Sequence, residues 1–305
     1  MRSIVKRILR KIRGFFFRDV VENTLLVSKL HVHRVRQLKN IDSFSEVEFK
    51  VFSQWGEDGI IQYLIHKVTI ENRVFVEFGV DDYSEANTRF LLVNDNWVGL
   101  LIEGNPANAE AIKVDNIHWQ HDLRVVNEFI TKENINSLIT GAGIRGDIGL
   151  LSIDIDGNDY WVWEAITVVN PRIVICEYNS LFGPDYSITV PYDPLFVKKK
   201  AHYSDLFFGA SLPALCFLAD KKGYKFVGSN SNGCNAFFVR KDLAHRLKSI
   251  SAKAGYREDR YRLSRDRKGR LNFLARRDRL KEIEHLSVID VATNQQVALH
   301  DRMTK

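Results

Sequence analysis

Short apolar runs alternate with helical patterns through the middle of this 305-residue chain. Each run predicts a strand, and the stretch after it has the apolar spacing of a helix. The predicted strands cover residues 73–80, 97–104, 117–123, 149–156 and 172–179. The predicted helices between them cover residues 85–94, 106–114, 126–140 and 158–169. Strands that alternate with helices form a parallel sheet covered on both faces, so the pattern predicts an α/β protein.

The alternation ends in two predicted strands that lie close together in the sequence. They cover residues 224–229 and 235–240, and the turn-forming residues 230–233 (Asn-Ser-Asn-Gly) separate them. Two strands joined by so short a turn must be antiparallel. Five β/α units followed by such a hairpin are typical of a Rossmann-like class I methyltransferase sheet. A dinucleotide-binding dehydrogenase domain would continue with another parallel strand.

Three regions follow from this pattern: a basic amphipathic helix and linker (1–45), a methyltransferase-like domain (46–245) and a basic C-terminal appendage (246–305). Residues 1–18 carry seven basic side chains and no acidic one. Such a helix suits the surface of an anionic membrane. Packing on a neighbouring subunit and an Arg-rich targeting peptide are the alternatives. No apolar run approaches the roughly 20 residues that span a bilayer.

The distribution of charge limits the class of partner, and the cysteine content indicates the cellular compartment. The net charge of +6 falls largely on residues 1–18, so the centre of the chain is acidic and does not suit nucleic acid. We expect a glycan or glycolipid substrate instead, and a homo-oligomer stays open. Cys176, Cys216 and Cys234 are widely spaced, which predicts reduced thiols in a cytoplasmic protein. Contact with the inner face of the membrane would then run through residues 1–18.

Candidate cofactor residues lie at the predicted strand ends, because ligands of open α/β sheets bind outside the carboxyl ends of the strands. Glu103 closes the second strand, where an acidic residue can accept both hydroxyls of a ribose. Gly79 would let a ligand approach the backbone closely. The alternative for Glu103 is that it is an exposed loop carboxylate, and the alternative for Gly79 is that it only forms a strand-to-helix turn. Glu77, Asp122 and Asp154 are further candidates, with Asp122 on the adenine side.

A carboxylate cluster follows the fourth predicted strand. Alternation places Asp154 and Asp156 on one face, where they repel each other unless a cation, a shared proton or hydrogen bonds compensate. Asp156, Glu177 and Asn179 offer the oxygen ligands that Mg²⁺ prefers. The alternatives are cofactor contact alone or capping of the next helix by Asn158 or Asp156.

The long connection after the fifth strand resembles a substrate lid in its length and composition. Transfer of a methyl group to a hydroxyl needs a base that removes the hydroxyl proton. His202 is the histidine of this connection, and Asp159 is its rival for that role. The alternative for a lone loop histidine is that it takes no part in the reaction.

Three stretches resemble the FkbM-type methyltransferases. Residues 153–159 (Ile-Asp-Ile-Asp-Gly-Asn-Asp), followed by 174–177 (Val-Ile-Cys-Glu), are similar to that family's fourth- and fifth-strand elements. Residues 53–58 (Ser-Gln-Trp-Gly-Glu-Asp) resemble an element found before its first strand. The chain departs from the family in having one glycine after the first strand, and Asp156 where glutamate is commoner.

The resemblance covers residues 50–240. It implies a Rossmann-like fold, S-adenosylmethionine as methyl donor, and O-methylation of sugars in polyketides or surface glycans. Some sugar O-methyltransferases of similar build use Mg²⁺ at the carboxylates that match Asp156 and Glu177. We therefore expect O-methylation of a sugar hydroxyl in a surface glycan or glycolipid precursor, with Mg²⁺ assistance left open.

Two other functions stay open from the sequence. A nucleotide-sugar-modifying oxidoreductase would share the fold, but such enzymes usually open their first helix with Gly-x-Gly-x-x-Gly, which this chain lacks. A non-catalytic adaptor that kept the fold is favoured by the single glycine after the first strand. The polar strand ends argue against the adaptor, because clustered carboxylates destabilise a fold unless something compensates.

Overall fold

The computed structural model describes the backbone of residues 2–303 and the side chains of residues 20–302. Within these residues the strands are β1 (Val74–Phe78), β2 (Val98–Glu103), β3 (Leu123–Asn127), β4 (Gly146–Ile153), β5 (Val169–Glu177), β6 (Ile188–Thr189), β7 (Tyr224–Ser229), β8 (Asn235–Arg240), β9 (Ser287–Asp290) and β10 (Gln295–Ala298).

The helices are α1 (Arg2–Gln37), α2 (Glu57–Lys67), α3 (Arg89–Asp95), α4 (Pro106–Val114), α5 (Asn116–Gln120), α6 (Ile135–Gly141), α7 (Asp159–Ala165), α8 (Lys198–Ala201), α9 (Leu212–Lys221), α10 (Ala252–Gly255), α11 (Arg276–Ile283) and α12 (His300–Met303). Short 3₁₀ turns lie at Phe44–Glu46, Ser180–Phe182 and Lys241–Arg246.

Seven strands form the central sheet in the order β3-β2-β1-β4-β5-β8-β7. The first five of this order are parallel, whereas β8 runs antiparallel to both β5 and β7. The predicted mostly parallel sheet with a C-terminal antiparallel hairpin is therefore confirmed. The hairpin turn carries the residues that predicted it, since Asn230 Oδ1 accepts hydrogen bonds from the backbone of Gly233, Cys234 and Asn235.

The parallel strands are apolar on both sides because helices cover both faces of the sheet. Leu150 and Leu151 are adjacent on β4 and both fully buried, yet they enter two separate apolar cores. Leu151 packs with residues of α6, α7 and α9. Leu150 packs with residues of α2, α3 and α4. These two layers hold the strands in register and fix the edge at which they end.

One predicted strand is wrong. Residues 117–123 were expected to be extended, but α5 covers most of them and β3 starts only at Leu123. The side chain of Asp115 accepts a hydrogen bond from the backbone of Ile117 at 2.8 Å and starts the helix. The predicted helix over 126–140 is correspondingly short and begins at Ile135. The helix cap at Asp115 therefore outweighed the apolar character of residues 117–123, which had predicted a strand.

The C-terminal residues pack beside the carboxyl edge of the sheet. Strand β9 pairs with both β10 and β6, which lies in the connection after β5. A buried ion pair joins Arg279 on α11 to Asp259, with side chains 4% and 6% exposed. Asp259 also accepts a hydrogen bond from Ser180, directly after β5. The region after residue 246 is thereby tied to the loops that surround the end of β5.

Helix α1 packs through its C-terminal part. Val32 and Val35 are buried there, and Val35 joins the core that contains α2. Leu26 and Leu30 are exposed on the same helix. The membrane-facing stripe predicted for residues 1–18 falls outside the side chains that the structure describes. Among the described residues, no helix combines the length and apolar character needed to cross a membrane.

Candidate functional site

A cavity of about 580 Å³ lies at the carboxyl ends of β1, β4 and β5. Residues 77–82 form one wall, and Asp154, Asp156 and Glu177 form another. In the strand order, β1 stands between β2 and β4. Strands β2 and β3 therefore lie on one side of β1, and β4 and the later strands of the sheet lie on the other. Such a switch point leaves a crevice, and ligands of open α/β sheets bind there.

The cavity is strongly acidic. Its lining includes seven carboxylates, which are Glu77, Asp81, Asp82, Glu85, Asp154, Asp156 and Glu177. Among the described lining residues, Lys198 is the one lysine or arginine. Carboxylates at this density repel each other, and a bound cation or protonation relieves that repulsion. The electrostatics therefore favour a positively charged ligand.

Three carboxylates come together at the ends of β4 and β5. Oxygens of Asp154, Asp159 and Glu177 all lie within 4.8 Å of one another. Burial raises the pKa of Asp154 and of Glu177 well above their ordinary values. The charges of Asp156 and Asp159 raise the pKa of Asp154 further, and the charge of Asp154 does so for Glu177. Among the described residues, Oε2 of Glu177 is buried without a hydrogen-bond partner. This group, here called the carboxylate triad, combines unrelieved charge with free acceptor atoms.

Asp159 shapes the turn between β4 and α7. Its two carboxylate oxygens accept hydrogen bonds from the backbone of Ile155 and Gly157, each at 2.9 Å. Burial raises its pKa from 3.8 to about 6 in spite of these bonds. Neither Asn158 nor Asp156 makes a side-chain capping bond to α7, so the capping alternative is wrong, and the bonds of Asp159 hold the turn before the helix instead. As a catalytic base, Asp159 would have to act while it holds this turn.

The predicted metal ligands Asp156, Glu177 and Asn179 do not come together as one set. The Asn179 amide donates to the carbonyls of Leu206 and Phe208 and accepts from Leu181, so loop contacts occupy it. The Asp156 side chain is 59% exposed and pairs with Lys198. Glu177 lies in the carboxylate triad, where Asp154 and Asp159 replace the other two predicted ligands.

Lys198 is the cation that the sequence reasoning missed. Its Nζ lies 2.5 Å from Oδ1 of Asp156 and 3.7 Å from the ring centre of Phe208. Burial lowers the pKa of Lys198, but the charges of Glu177 and Asp156 outweigh that effect, so the net shift is upward. The ammonium is therefore the charged form at neutral pH. The run of three lysines at 198–200 was the available signal.

Glu77 lines the cavity, but its carboxylate is hydrogen-bonded to the residues that precede helix α3. Its carboxylate accepts hydrogen bonds from the backbone of Asn87 and Thr88, at 2.9 and 3.1 Å, and from the Thr88 hydroxyl. These donors lie just before Arg89, where helix α3 begins and backbone N–H groups lack helical partners. Burial raises the pKa of Glu77 to about 7. The cofactor role predicted for Glu77 thus competes with a structural one.

Gly79 is required by the protein itself. It has a φ of +66°, and a Cβ at this residue would lie 1.7 Å from the carbonyl oxygen of Asp154. This space was expected to admit a ligand, but the backbone after β4 fills it. Gly79 therefore lets the ends of β1 and β4 meet at the base of the cavity.

Glu103 and Asp122 lie at opposite edges of the sheet. Glu103 closes β2 and accepts a hydrogen bond from the backbone of Asn105 at 2.7 Å. Burial and the charge of Asp81, a cavity residue, raise the pKa of Glu103. The carbonyl of Asp122 instead accepts from Gly99 at the start of β2. The adenine-side role predicted for Asp122 is therefore wrong, because Asn127 closes β3.

His202 lies outside the cavity. It borders a separate surface depression with Tyr203, Glu282 and His285, and its Nδ1 is 2.6 Å from the Ser204 hydroxyl. Burial lowers the pKa of His202. The base role predicted for it does not fit this placement, because the connection folds with His202 toward the C-terminal residues.

Two aromatic side chains from distant parts of the chain border the cavity. Trp55 and Tyr261 stack with ring centres 5.9 Å apart and an interplanar angle of 3°. Burial raises the pKa of Tyr261 far above its ordinary value, so its hydroxyl stays protonated. Trp55 lies in one of the stretches that carry the family resemblance. Tyr261 had no local signal, because only the tertiary fold brings it to the cavity.

The stretch 53–58 positions Trp55. Oδ2 of Asp58 accepts hydrogen bonds from the backbone of Val51, Phe52 and Ser53 and from the Ser53 hydroxyl. Oε2 of Glu57 accepts from the backbone of Trp55 at 2.9 Å, and its Oε1 accepts from two asparagine amides of the β7–β8 hairpin. The acidic residues of this stretch are therefore structural, and they hold the tryptophan at the rim.

The strand order and the antiparallel hairpin define the chain as a Rossmann-like class I methyltransferase fold, with its cavity at the expected switch point. Neither a protein-family model nor a curated protein matches the sequence. Among solved structures, the chain is similar to the N-terminal domain of EvdMO1 with SAH bound, at 11% identity and a TM-score of 0.41, over 70% of this chain and 96% of that one.

Two further solved structures are similar at the same low level. A S-adenosylmethionine-dependent methyltransferase from Clostridium acetobutylicum ATCC 824 has 8% identity and a TM-score of 0.38, over 60% of this chain and 90% of that one. An O-methyltransferase from Bacillus cereus in complex with SAH has 12% identity and a TM-score of 0.35, over 71% of this chain and 89% of that one. These values do not bear on what this chain binds.

Proposed function

We propose that this chain is a S-adenosylmethionine-dependent O-methyltransferase that acts on a sugar hydroxyl of a surface glycan or glycolipid precursor. The observation that carries the proposal is the acidic cavity at the switch point between β1 and β4. Its volume of about 580 Å³ is within the range of small-molecule sites. S-adenosylmethionine supplies a methyl group on a positively charged sulfur, and an acidic cavity favours such a charge.

The protein residues then divide into a cofactor side and an acceptor side. Glu103, at the end of β2, supplies a buried carboxylate for the ribose hydroxyls. Asp81 lies next to Glu103 and reaches Asn108 on α4 at 3.1 Å, which ties the loop after β1 to that side. The carboxylate triad lies on the other side of Gly79, at the ends of β4 and β5.

Asp154 is the proposed proton acceptor. Among the described residues, no hydrogen bond engages its carboxylate, in contrast to Asp159. Burial and the neighbouring charges raise its pKa, which strengthens it as a base. Asp154 takes the proton of the acceptor hydroxyl as that oxygen bonds to the methyl carbon and the electron pair of the carbon–sulfur bond goes to sulfur.

The aromatic rim supports a sugar as acceptor. The Trp55 side chain is 43% exposed and stacks on Tyr261 beside the cavity. The flat face of an aromatic ring offers apolar contact and a negative quadrupole to the C–H face of a sugar ring. The FkbM-type resemblance of residues 53–58 and 153–159 supports the same acceptor class. The seven basic residues of 1–18 support peripheral contact with an anionic membrane, where a lipid-linked glycan would be found.

The carboxylate triad also fits Mg²⁺ in its chemistry. Three carboxylates within 4.8 Å offer oxygen ligands, and Oε2 of Glu177 is free to bind. Asp154, Asp159 and Glu177 would hold the ion, which would lower the pKa of an acceptor hydroxyl. Magnesium assistance is thus an alternative to proton removal by Asp154 without a metal, and the two alternatives differ in whether these carboxylates bind a divalent ion.

Calorimetric titration with S-adenosylmethionine and with S-adenosylhomocysteine tests the cofactor. We expect saturable binding by the full chain, weakened on the order of 10- to 100-fold in Glu103→Ala, because charge-assisted hydrogen bonds to the ribose are lost. Glu110→Ala, an exposed position on α4, is the matched control and should bind normally. If the folded protein binds neither compound, the proposal fails and titration with NAD and nucleotide sugars follows.

A further inference from the structure

Lys198 holds an unusual position for a lysine. It begins the short helix α8, where Lys199 and Lys200 are exposed, yet its own side chain is only 18% exposed. Its ammonium faces the acidic cavity rather than solvent. Burying a lysine charge is unfavourable unless partners compensate, so the fold must supply a reason for this placement.

Two contacts fix the ammonium. Asp156 pairs with it at 2.5 Å, and the face of the Phe208 ring lies 3.7 Å away. Asp156 itself has a φ of +56°, a left-handed conformation that is uncommon for residues other than glycine but more accessible to aspartate than to most. The connection that carries Lys198 is held in place, because the amide of Asn158 donates to the carbonyl of Asp193 at 2.7 Å. The ammonium is therefore pre-positioned.

We propose that the ammonium of Lys198 takes the place of a divalent cation beside Asp154, Asp159 and Glu177, so that the native protein excludes metal from these carboxylates. The triad repels itself, Oε2 of Glu177 has no partner among the described residues, and Lys198 is the cation built into the same wall. A divalent ion in the triad would lie close to this ammonium and be repelled by it.

In the proposed methyl transfer, on which this step rests, Lys198 acts as a positioning residue. An ammonium has three N–H donors, and Asp156 accepts one of them. A remaining donor can hold the acceptor oxygen and stabilise the negative charge that develops as Asp154 removes its proton. The lysine thus supplies the electrostatic stabilisation that a metal would otherwise provide.

Titration of the full chain with Mn²⁺, followed by the electron paramagnetic resonance signal of the free ion, tests the exclusion without any methyl donor. We expect only weak, non-saturating binding by the native protein. Lys198→Gln should bind Mn²⁺ saturably, with affinity increased on the order of tenfold or more, because a repelling charge has been removed. Lys199→Gln, on the exposed face of the same helix, should behave like the native protein.

Two further variants separate charge from structure. Lys198→Arg keeps the charge and should still exclude Mn²⁺, whereas Lys198→Gln combined with Glu177→Gln should lose the gained site. Saturable Mn²⁺ binding by the native protein, unchanged in Lys198→Gln, would overturn the proposal. Absence of binding in Lys198→Gln, with circular dichroism showing a folded chain, would overturn it equally. Because Mn²⁺ binding needs no methyl donor, failure of the methyltransferase proposal would appear separately, in the calorimetric titrations.

Discussion

Gly79→Ala is expected to lower the free energy of unfolding by more than about 4 kcal/mol, a large fraction of the roughly 5–15 kcal/mol that stabilises a typical domain. The left-handed φ of +66° alone costs an alanine about 1–2 kcal/mol. The larger part comes from the Cβ, which would lie 1.7 Å from the carbonyl oxygen of Asp154. The ends of β1 and β4 would have to separate. Urea denaturation, or loss of soluble protein, measures the effect.

Two glycines serve as matched controls. Gly183 combines a φ of +72° with a ψ of −178°, a conformation nearly restricted to glycine, and a Cβ at this residue would meet no atom within 4 Å, so Gly183→Ala isolates a backbone cost of roughly 1–3 kcal/mol. Gly104 has an ordinary φ, and a Cβ there would lie 3.5 Å from its nearest neighbour, Phe129, so Gly104→Ala should be nearly neutral. If Gly79→Ala cost no more than Gly183→Ala, the close approach of β1 to β4 at the base of the cavity would be disproved.

Asp154→Asn is expected to stabilise the free protein at pH 8, by roughly 1–3 kcal/mol, and to leave it nearly unchanged only below about pH 3.5, where the unfolded chain is protonated too. Burial and the charges of Asp156 and Asp159 hold the pKa of Asp154 well above 3.8 in the folded state. The folded chain therefore binds this proton more tightly than the unfolded chain does. Stability that depends on the proton is complete at low pH and falls as the pH rises. Asparagine mimics the protonated acid and avoids the loss.

In the native protein, the other buried carboxylates of this region should also make the free energy of unfolding fall as the pH rises. The pKa of Asp159 is raised from 3.8 to about 6 and that of Glu77 from 4.5 to about 7, both by burial. The free energy of unfolding should therefore fall between about pH 4 and pH 7. Urea denaturation at several pH values measures it, with Glu110→Gln on the exposed face of α4 as the control. A rise in stability over this range would contradict the assigned environment of the carboxylates.

The sequence predicts the sheet well because both signals it uses are local. Apolar runs such as 149–153 are buried on both faces, and the residues between β7 and β8 form a turn on their own. The failure at 117–123 is also local. There, the side chain of Asp115 starts a helix that the apolar character of the run does not reveal.

The site was harder to predict, because its geometry depends on contacts between distant residues. Period-two alternation placed Asp154 and Asp156 on one face, but β4 ends at Ile153, so the alternation no longer applied. Asp156 turned outward to Lys198, and Asp159 joined Asp154 in the triad. Asn179 looked like a ligand because it follows β5, yet the loop after residue 205 occupies its amide.

The two residues with the least sequence signal show what a strand-by-strand interpretation leaves out. Lys198 reaches the cavity from the connection after β6, and Tyr261 reaches it from beyond the hairpin. Neither position has a local pattern that predicts burial. Their placement depends on how the connection and the C-terminal residues pack against each other, which no local periodicity encodes.

The contribution of Tyr261 also sets an order of events during synthesis on the ribosome. The central sheet needs no strand beyond Arg240, so it can form before the last residues of the chain have been made. The aromatic rim of the cavity must wait for Tyr261, and its anchor Asp259 must wait for Arg279. A nascent chain can therefore complete the strands of its central sheet first and the aromatic rim of its cavity last.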